Sequence, residues 1–178
     1  MDCRRCFNIN MKQALDVNNT KILFFKKPIY AMVSIVGSSP YKQRTPVAKY
    51  IGNNKLIWGT TTSSAMRFYV EESKLQQNHL VLMIQLMCKR IFGSDKVIGE
   101  ICVPLKELYD NYNGINNISY STHEVVNPCD DRGHGYLQFS YEFDATLKKK
   151  EGAIANSLMQ TQSHVTPSAP SLEQYLIT

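Results

Sequence analysis

Residues 79–105, HLVLMIQLMCKRIFGSDKVIGEICVPL, restrict the fold more than any other part of the chain. In their first half, successive apolar side chains fall on opposite faces of an extended segment. One face carries Leu80, Leu82, Ile84 and Leu86, and the other carries Val81, Met83, Gln85 and Met87. This pattern is typical of a strand that is buried on one face and mostly covered on the other.

A helix is the alternative interpretation of this apolar run. The run is short, however, and it is followed by Gly93-Ser94-Asp95, after which a second apolar alternation begins at Val97. Glycine and polar residues between two alternating segments favour a connection between strands. The stretch therefore predicts a strand, a basic loop over residues 88–96, and a second strand.

The composition is that of an ordinary globular domain. The chain has 178 residues, of which 43% are hydrophobic and 20% charged, so one domain with a sizeable core is expected. No segment has the apolar length that spans a bilayer, and the first twelve residues lack the apolar run of a secretory signal. We therefore expect a cytoplasmic protein.

The cysteines do not form a disulfide framework. They lie at positions 3, 6, 88, 102 and 129, and an intracellular chain keeps such thiols reduced. Cys3 and Cys6 form a C-x-x-C pair, which suits half of a zinc site or, beside Arg4 and Arg5, a lipid acceptor. Neither interpretation is favoured, because no second Cys/His pair has zinc-site spacing and Cys6 would begin the first strand.

Positive charge is concentrated in the N-terminal part of the chain. Residues 1–50 hold nine of the 20 Lys/Arg but two of the 15 Asp/Glu. Such asymmetry indicates an anionic partner, either a phospholipid surface or a nucleic acid, although a basic edge that prevents strand aggregation is an equally good explanation. The aromatic and basic motifs of common single-strand binders are absent, so no nucleic acid is expected.

Further alternating segments predict eight strands in all. They cover residues 7–11, 29–36, 42–49, 65–70, 80–87, 118–125 and 136–143, with one more from Val97. Pro46 makes the third an edge or bulged strand, and Trp58 is expected to fill the core. Residues 71–78 are predicted as a polar loop, and residues 104–109 as a single helical turn. Short strands with regular turn signals indicate an all-β, antiparallel Greek-key β-sandwich.

The amino-acid composition of the chain changes after Leu147. Lys148-Lys149-Lys150 leads into a segment of Ser, Thr, Gln and Pro with few core-forming residues. We therefore predict a domain over residues 1–147 and a largely disordered polar tail over residues 148–178.

Six motifs in order carry a family resemblance. They are YAMVSI from Tyr30, KQRTPV from Lys42, Trp58, GSDKVIGE from Gly93, VPLKEL from Val103 and GYLQFSY from Gly135. From about Cys6 to Phe143 the chain resembles plant C2 domain proteins, and more narrowly the group named for a soybean cold-regulated gene product, with the BON-associated small C2 proteins as relatives. The resemblance implies an eight-stranded sandwich that docks on phospholipid membranes or protein partners in stress, cold or defence responses. It implies no catalysis.

The calcium site of such domains is expected to be lost. Calcium-dependent C2 domains use several Asp carboxylates in loops at one end, because Ca²⁺ needs six to eight oxygen ligands. Here Pro28 matches the usual Asp before the second strand, and Cys88, Arg90 and Lys96 match acidic positions of the other loop. Only Asp95 remains there, so we expect no metal site and no cofactor.

Cations in place of these carboxylates predict a permanently active docking surface. Each cation near an anionic leaflet is worth on the order of 1 kcal/mol. The predicted loop cations are Lys26, Lys27, Lys89, Arg90 and Lys96, and the loop-tip side chains that either insert among headgroups or tuck into the sandwich are Phe24, Phe25, Ile91 and Phe92. Lys42 and Arg44, with Lys49, form a second patch or guard a strand edge. We expect a monomer that docks peripherally on anionic phospholipid without calcium.

Two other classes of function compete with this prediction. An enzyme is not expected, because the histidines are scattered, no Ser lies in a nucleophile elbow, and no glycine loop precedes a helix to hold phosphate. The alternative is a protein-interaction adaptor that uses the same sandwich with little or no lipid binding. Pull-down that depends on the tail, with membranes absent, would favour the adaptor.

Overall fold

The structure is a computed structural model, and it describes residues 3–17, 27–59, 65–112, 118–127 and 130–144. For residues 130–134 it describes the backbone but not the side chains. Three predicted features lie outside the described residues: Phe24, Phe25 and Lys26, the domain boundary at residue 147, and the polar tail at residues 148–178.

Ten strands and two short helices make up the described chain. The strands are β1 (Arg4–Leu15), β2 (Ile29–Val36), β3 (Lys42–Arg44), β4 (Lys49–Ile51), β5 (Lys55–Ile57), β6 (Met66–Glu71), β7 (Val81–Cys88), β8 (Lys96–Pro104), β9 (Ser119–Asn127) and β10 (Asp130–Phe143). The helices are α1 (Glu72–Gln76) and α2 (Leu105–Asp110). Neither helix is long and apolar enough to span a bilayer.

Every strand pair is antiparallel, and the strands form one curled sheet. Its order is β3-β2-β7-β8-β9-β10-β1-β5-β4, and β6 also pairs with β1. Between β8 and β9 the register contains one pair, Glu100 with Val126, which is where the sheet passes from one layer of the sandwich to the other. Crossover neighbours such as β2 with β7 and β10 with β1 confirm the predicted antiparallel Greek-key sandwich.

The core lies between the two layers, and β7 shows how the sequence builds it. The inward residues Leu82, Ile84 and Leu86 are fully buried, and the alternate residues are half-buried, as the alternation predicts. Trp58 is also buried, which confirms its predicted place in the core. Its indole Nε1 has no hydrogen-bond partner in the described part of the chain.

The predicted third strand is divided in two by the segment that contains Pro46. After β3, Thr45 and Ala48 still donate backbone hydrogen bonds to Ala31 and Ile29 of β2, at 2.9 and 2.7 Å. The chain then crosses to the other layer, where β4 pairs with β5. Proline has no N–H to donate to a ladder, so the break falls where the sequence has Pro46. This division, and the unpredicted β5, account for ten strands instead of eight.

Residues 71–78 are not simply a polar loop. They contain α1, a single helical turn that buries Leu75 completely. The polar composition of the segment hides this one core residue. The short helix α2 agrees with the turn predicted at residues 104–109.

The last strand begins earlier than the sequence pattern predicts. β10 starts at Asp130, whereas the apolar alternation starts at Tyr136. Gly135 has a φ of +85°, and a Cβ at this position would lie 2.0 Å from the Leu15 carbonyl oxygen. Glycine therefore lets β10 pass close to the end of β1 while it stays paired with β9.

The strand register defines two ends of the sandwich. Pairs Leu15–Lys55 and Ile29–Cys88 bring together residues 16–17, 27–28, 52–54 and 89–95, which we name the loop end. The backbone N–H of Asp16 donates to the Asn54 carbonyl at 2.9 Å and holds two of these segments together. Residues 37–41, 72–80 and 104–112 form the opposite end.

Candidate functional site

The candidate site lies at the loop end and is built on the last pairs of β2 and β7. Residues 88–96 form the basic loop. Beyond the pair Ile29–Cys88, the Lys89 N–H donates to the Pro28 carbonyl at 2.9 Å. The Tyr50 hydroxyl donates to the Lys27 carbonyl at 2.8 Å. These bonds hold the backbone of Lys27 beside the basic loop.

Asp95 closes the basic loop from inside. Its Oδ2 accepts a hydrogen bond from the Tyr30 hydroxyl at 2.6 Å, and its Oδ1 accepts one from the Arg90 backbone N–H at 3.2 Å. The hydrogen bond from Tyr30, followed by that from Arg90, lowers the pKa of Asp95 below its ordinary value. Both carboxylate oxygens are therefore committed to the fold of the loop, an arrangement we name the Asp95 clamp.

The two cations of β3 in the second basic patch lie at different distances from the loop end. The Arg44 guanidinium lies over the Tyr30 ring, 5.3 Å from its centroid, and so belongs with the Asp95 clamp. Lys42 pairs with Ser34, two residues further from the loop end than the pair of Arg44 with Met32. The side chains of Lys42 and Arg44 thus do not form one surface with equal access to the basic loop.

Four exposed cations surround the buried Cys88 thiol at this end: Lys27, Lys89, Arg90 and Lys96. Burial raises the pKa of Cys88, while the positive charges of Lys27, Arg90 and Lys96 oppose that rise, which places these cations close to the sulfur. None of the four forms an ion pair with a carboxylate among the described residues. Their charge is therefore available to an external anion.

The tip of the basic loop is apolar and fully presented to solvent. Ile91 is 92% exposed and Phe92 is 88% exposed. Of the two alternatives for these side chains, insertion outside or burial in the sandwich, the structure places both outside. Two large apolar groups thus project beside the four cations.

Comparison with known proteins identifies the domain. No protein-family model matches the chain. Protein SRC2 of Glycine max is 35% identical over 141 residues, which cover 78% of this chain and 46% of that protein. The SRC2 homolog of Arabidopsis thaliana is 32% identical over 143 residues, or 80% of this chain and 41% of that protein. A C2 domain of plant extended synaptotagmin 1 superimposes with a TM-score of 0.59 at 12% identity, covering 80% of this chain and 96% of that domain.

The described chain is a C2 domain, and over this domain it is similar to the SRC2 proteins of plants. It spans a little under half the length of the curated relatives that it matches.

The basic loop of this C2 domain has one carboxylate, Asp95. The clamp uses both of its oxygens. In the described ranges, no group of three or more His, Cys, Asp or Glu side chains is placed to hold a metal. Oxygen ligands are what Ca²⁺ requires, and here the loop presents cations instead.

The C-x-x-C pair does not act as a unit either. Cys6 is buried in β1, whereas Cys3 precedes the strand and is half-buried. Burial, followed by the hydrogen bond to Asp144, raises the pKa of Cys6 to about 11, so its thiol stays protonated at neutral pH.

Sequence reasoning missed Tyr30 and Tyr50, which position the site. Both lie in strands, where an aromatic side chain is ordinarily a packing residue. Tyr30 starts the family motif YAMVSI, but nothing in the sequence pairs its hydroxyl with a carboxylate 65 residues away. That contact depends on the pairing of β2 with β7 and is visible only in the fold.

Proposed function

We propose that this C2 domain docks on anionic phospholipid membranes through the basic loop without calcium. One observation carries the proposal: the carboxylate of the basic loop is already hydrogen-bonded, whereas the neighbouring cations are not paired. Asp95 closes the loop. The four cations without an ion-pair partner among the described residues are Lys27, Lys89, Arg90 and Lys96. In a calcium-dependent domain the ion supplies the positive charge, whereas here the side chains carry it permanently. Peripheral attachment and a place in stress or defence signalling follow from the family resemblance.

The charges are sufficient for reversible attachment. Each cation near an anionic leaflet contributes about 1 kcal/mol, so four give about 4 kcal/mol, and the contribution falls as salt shortens the Debye length. Ile91 and Phe92 add apolar area that is already free of the core. Two kinds of attraction therefore act at the same tip, which is the usual requirement for stable anchoring.

Vesicle co-sedimentation of the full chain tests the proposal. Vesicles of phosphatidylcholine, with and without phosphatidylserine, are compared in calcium and in chelator at low and moderate salt. We expect binding only to the anionic vesicles, equal with calcium and chelator, and weaker at moderate salt. Binding that requires calcium, or equal binding to neutral vesicles, would overturn the proposal.

A charge variant locates the contact. Lys89→Gln with Arg90→Gln removes two loop cations and is expected to weaken binding about 30-fold, from about 2 kcal/mol. Lys74→Gln with Lys106→Gln is the matched control, because it also removes two cations, and these lie at the opposite end, paired with Glu71 at 3.1 Å and Asp110 at 2.8 Å. An equal loss in the control would show that net charge, and not the basic loop, governs binding.

A protein-interaction adaptor is the second candidate function. It is favoured by a groove lined with arginines at the opposite end of the sandwich, away from the proposed membrane contact. Pull-down of partners without membranes, with the charge variant retaining them, would support this role.

A further inference from the structure

A groove runs between the β6 edge and the turn after β2. Its volume is about 340 Å³, near the lower limit for ligand pockets, so it suits one side chain or a small anion. We name it the arginine groove, after Arg4 and Arg67. Tyr69, Phe68, Ser39 and Tyr41 also line it.

The strand register places both arginines on one face. Arg4 pairs with Glu71 and Asn8 pairs with Arg67, so the two arginines lie four residues apart along the same side of β1 and β6. Four residues of strand separate their backbones by about 13 Å. Both residues line the same groove, so their positive charges act on the same space.

The acidic groups on this face are already engaged. Glu71 forms an ion pair with Lys74 at 3.1 Å, and Glu142 and Asp144 accept from the Asn8 side-chain amide at 2.8 and 3.3 Å. Arg67 Nε donates to Asn8 Oδ1 at 3.0 Å, which orients its guanidinium. Arg4 has no ion pair with any carboxylate in the described part of the chain.

The turn after β2 adds fixed hydroxyl groups. Gly37 has a φ of +89°, and a Cβ there would lie 2.2 Å from the His79 carbonyl oxygen, so the turn is closely fitted. The Tyr41 N–H donates to Ser39 Oγ at 3.3 Å, which leaves the hydroxyl proton of Ser39 to donate to a ligand. Tyr41 and Tyr69 present exposed hydroxyl groups beside it.

We propose that the arginine groove binds the phosphate group of a phosphorylated side chain on a partner protein. Two guanidinium forks and a serine hydroxyl provide the bidentate and single donors that phosphate oxygens accept. Tyr41 and Tyr69, whose side chains are exposed, add ring surface against which a phosphotyrosine ring packs, so this residue is favoured over phosphoserine.

The inference that the phosphate belongs to a protein, and not to a lipid headgroup, rests on the proposed function. Arg4 begins the twelve-residue strand β1 and the loop end follows its last residue, a separation of about 40 Å. A membrane held at the basic loop therefore leaves the groove facing away from that membrane. A ligand there comes from the aqueous side.

Fluorescence anisotropy with the full chain tests the groove. The probes are one labelled peptide in three forms, with phosphotyrosine, phosphoserine or unmodified tyrosine. We expect the phosphotyrosine form to bind tightest and the unmodified form at least tenfold more weakly. Equal binding of phosphorylated and unmodified peptides would overturn the proposal.

Two arginine variants and a matched control assign the binding to the groove. Arg4→Gln and Arg67→Gln are each expected to weaken phosphopeptide binding about tenfold, because each removes charge-assisted hydrogen bonds. Arg90→Gln in the basic loop is expected to leave phosphopeptide binding unchanged. Arg67→Gln also removes the Arg67–Asn8 hydrogen bond and could disturb folding, whereas Arg4→Gln breaks no ion pair with a described carboxylate. Unchanged phosphopeptide binding in Arg4→Gln would therefore refute the assignment.

The same variants separate this proposal from membrane docking. Arg4→Gln is expected to co-sediment with anionic vesicles as well as the unmodified chain does. If vesicle binding falls instead, the groove is a lipid contact and the phosphopeptide proposal is wrong. If the chain binds phosphopeptide but no vesicles, the membrane proposal fails and the groove stands.

Discussion

Phe92 provides the sharpest test of how the basic loop meets a bilayer. Its side chain is 88% exposed, so nearly all of its apolar area is available for transfer out of water. Full burial of such a side chain is worth about 1.5–3 kcal/mol, and the headgroup boundary is partly wet, so we take the lower value. Phe92→Ser is therefore expected to weaken vesicle binding about tenfold. The melting temperature should not change, since Phe92 packs in no part of the core.

Phe92→Trp turns the same position into a reporter of insertion. The chain has one tryptophan, Trp58, which is 3% exposed in the core, so its emission should not respond to vesicles. On anionic vesicles the added indole is expected to shift its emission to the blue and to be quenched by brominated lipids. Tyr120→Trp is the matched control, because Tyr120 is also exposed but lies on β9 away from the loop end.

The two outcomes for Phe92→Trp separate insertion from adsorption. Vesicle binding with no blue shift and no quenching would refute insertion of the tip and leave attachment to the cations. A blue shift in the Tyr120→Trp control as well would place the membrane against the β9 face.

Three further predictions concern the loop, the core and the thiols. Tyr30→Phe removes the hydrogen-bond donor to Asp95, so amide hydrogen exchange in the basic loop should become faster. Because the pKa of Asp95 is lowered, the clamp is fully present above the ordinary pKa of Asp and is lost as the pH falls through the lowered pKa. Hydrogen exchange measured at a series of pH values tests both expectations. Unchanged exchange would contradict the clamp. Leu75→Ala should lower the free energy of unfolding by about 2–5 kcal/mol in a denaturant titration, because Leu75 is fully buried; a loss under about 1 kcal/mol would contradict this. Cys102 is exposed and Cys6 is buried with its pKa raised to about 11, so mass spectrometry should find Cys102 alkylated before Cys6, and the reverse order would be inconsistent with the structure.

Much of the architecture follows from local pattern. The alternation in β7, the second alternation from Val97 and the glycine turn between them predict two strands and the loop that joins them, because periodicity of two reports which face is buried. The division of the third strand did not follow, although Pro46 marks its position. The layer to which a chain crosses after a break depends on distant partners, here β5, and not on the break itself.

The chemistry of the site was less accessible to sequence reasoning. The loop cations follow from residue types, because charged side chains at a strand connection rarely bury. Exposure of Ile91 and Phe92 does not, since both residue types are ordinarily buried. It results from the Asp95 clamp, which closes the base of the loop and leaves its middle residues projecting from the end. That clamp joins residues from two strands and has no local signature.

The position of β1 has a consequence for how the protein is made. β1 pairs with β10 from Phe7 with Phe143 to Leu15 with Tyr136, so during synthesis the N-terminal strand of the described domain waits for the most C-terminal strand of that domain. During synthesis its apolar residues lack their final neighbours for more than a hundred positions, a long-range pairing of the kind that folds slowly and exposes intermediates to aggregation. A nascent chain that is stalled before Tyr136 emerges from the ribosome should remain sensitive to protease along its whole length and should bind chaperones. Once residue 143 has emerged from the ribosome, the nascent chain should become resistant to protease in a single step.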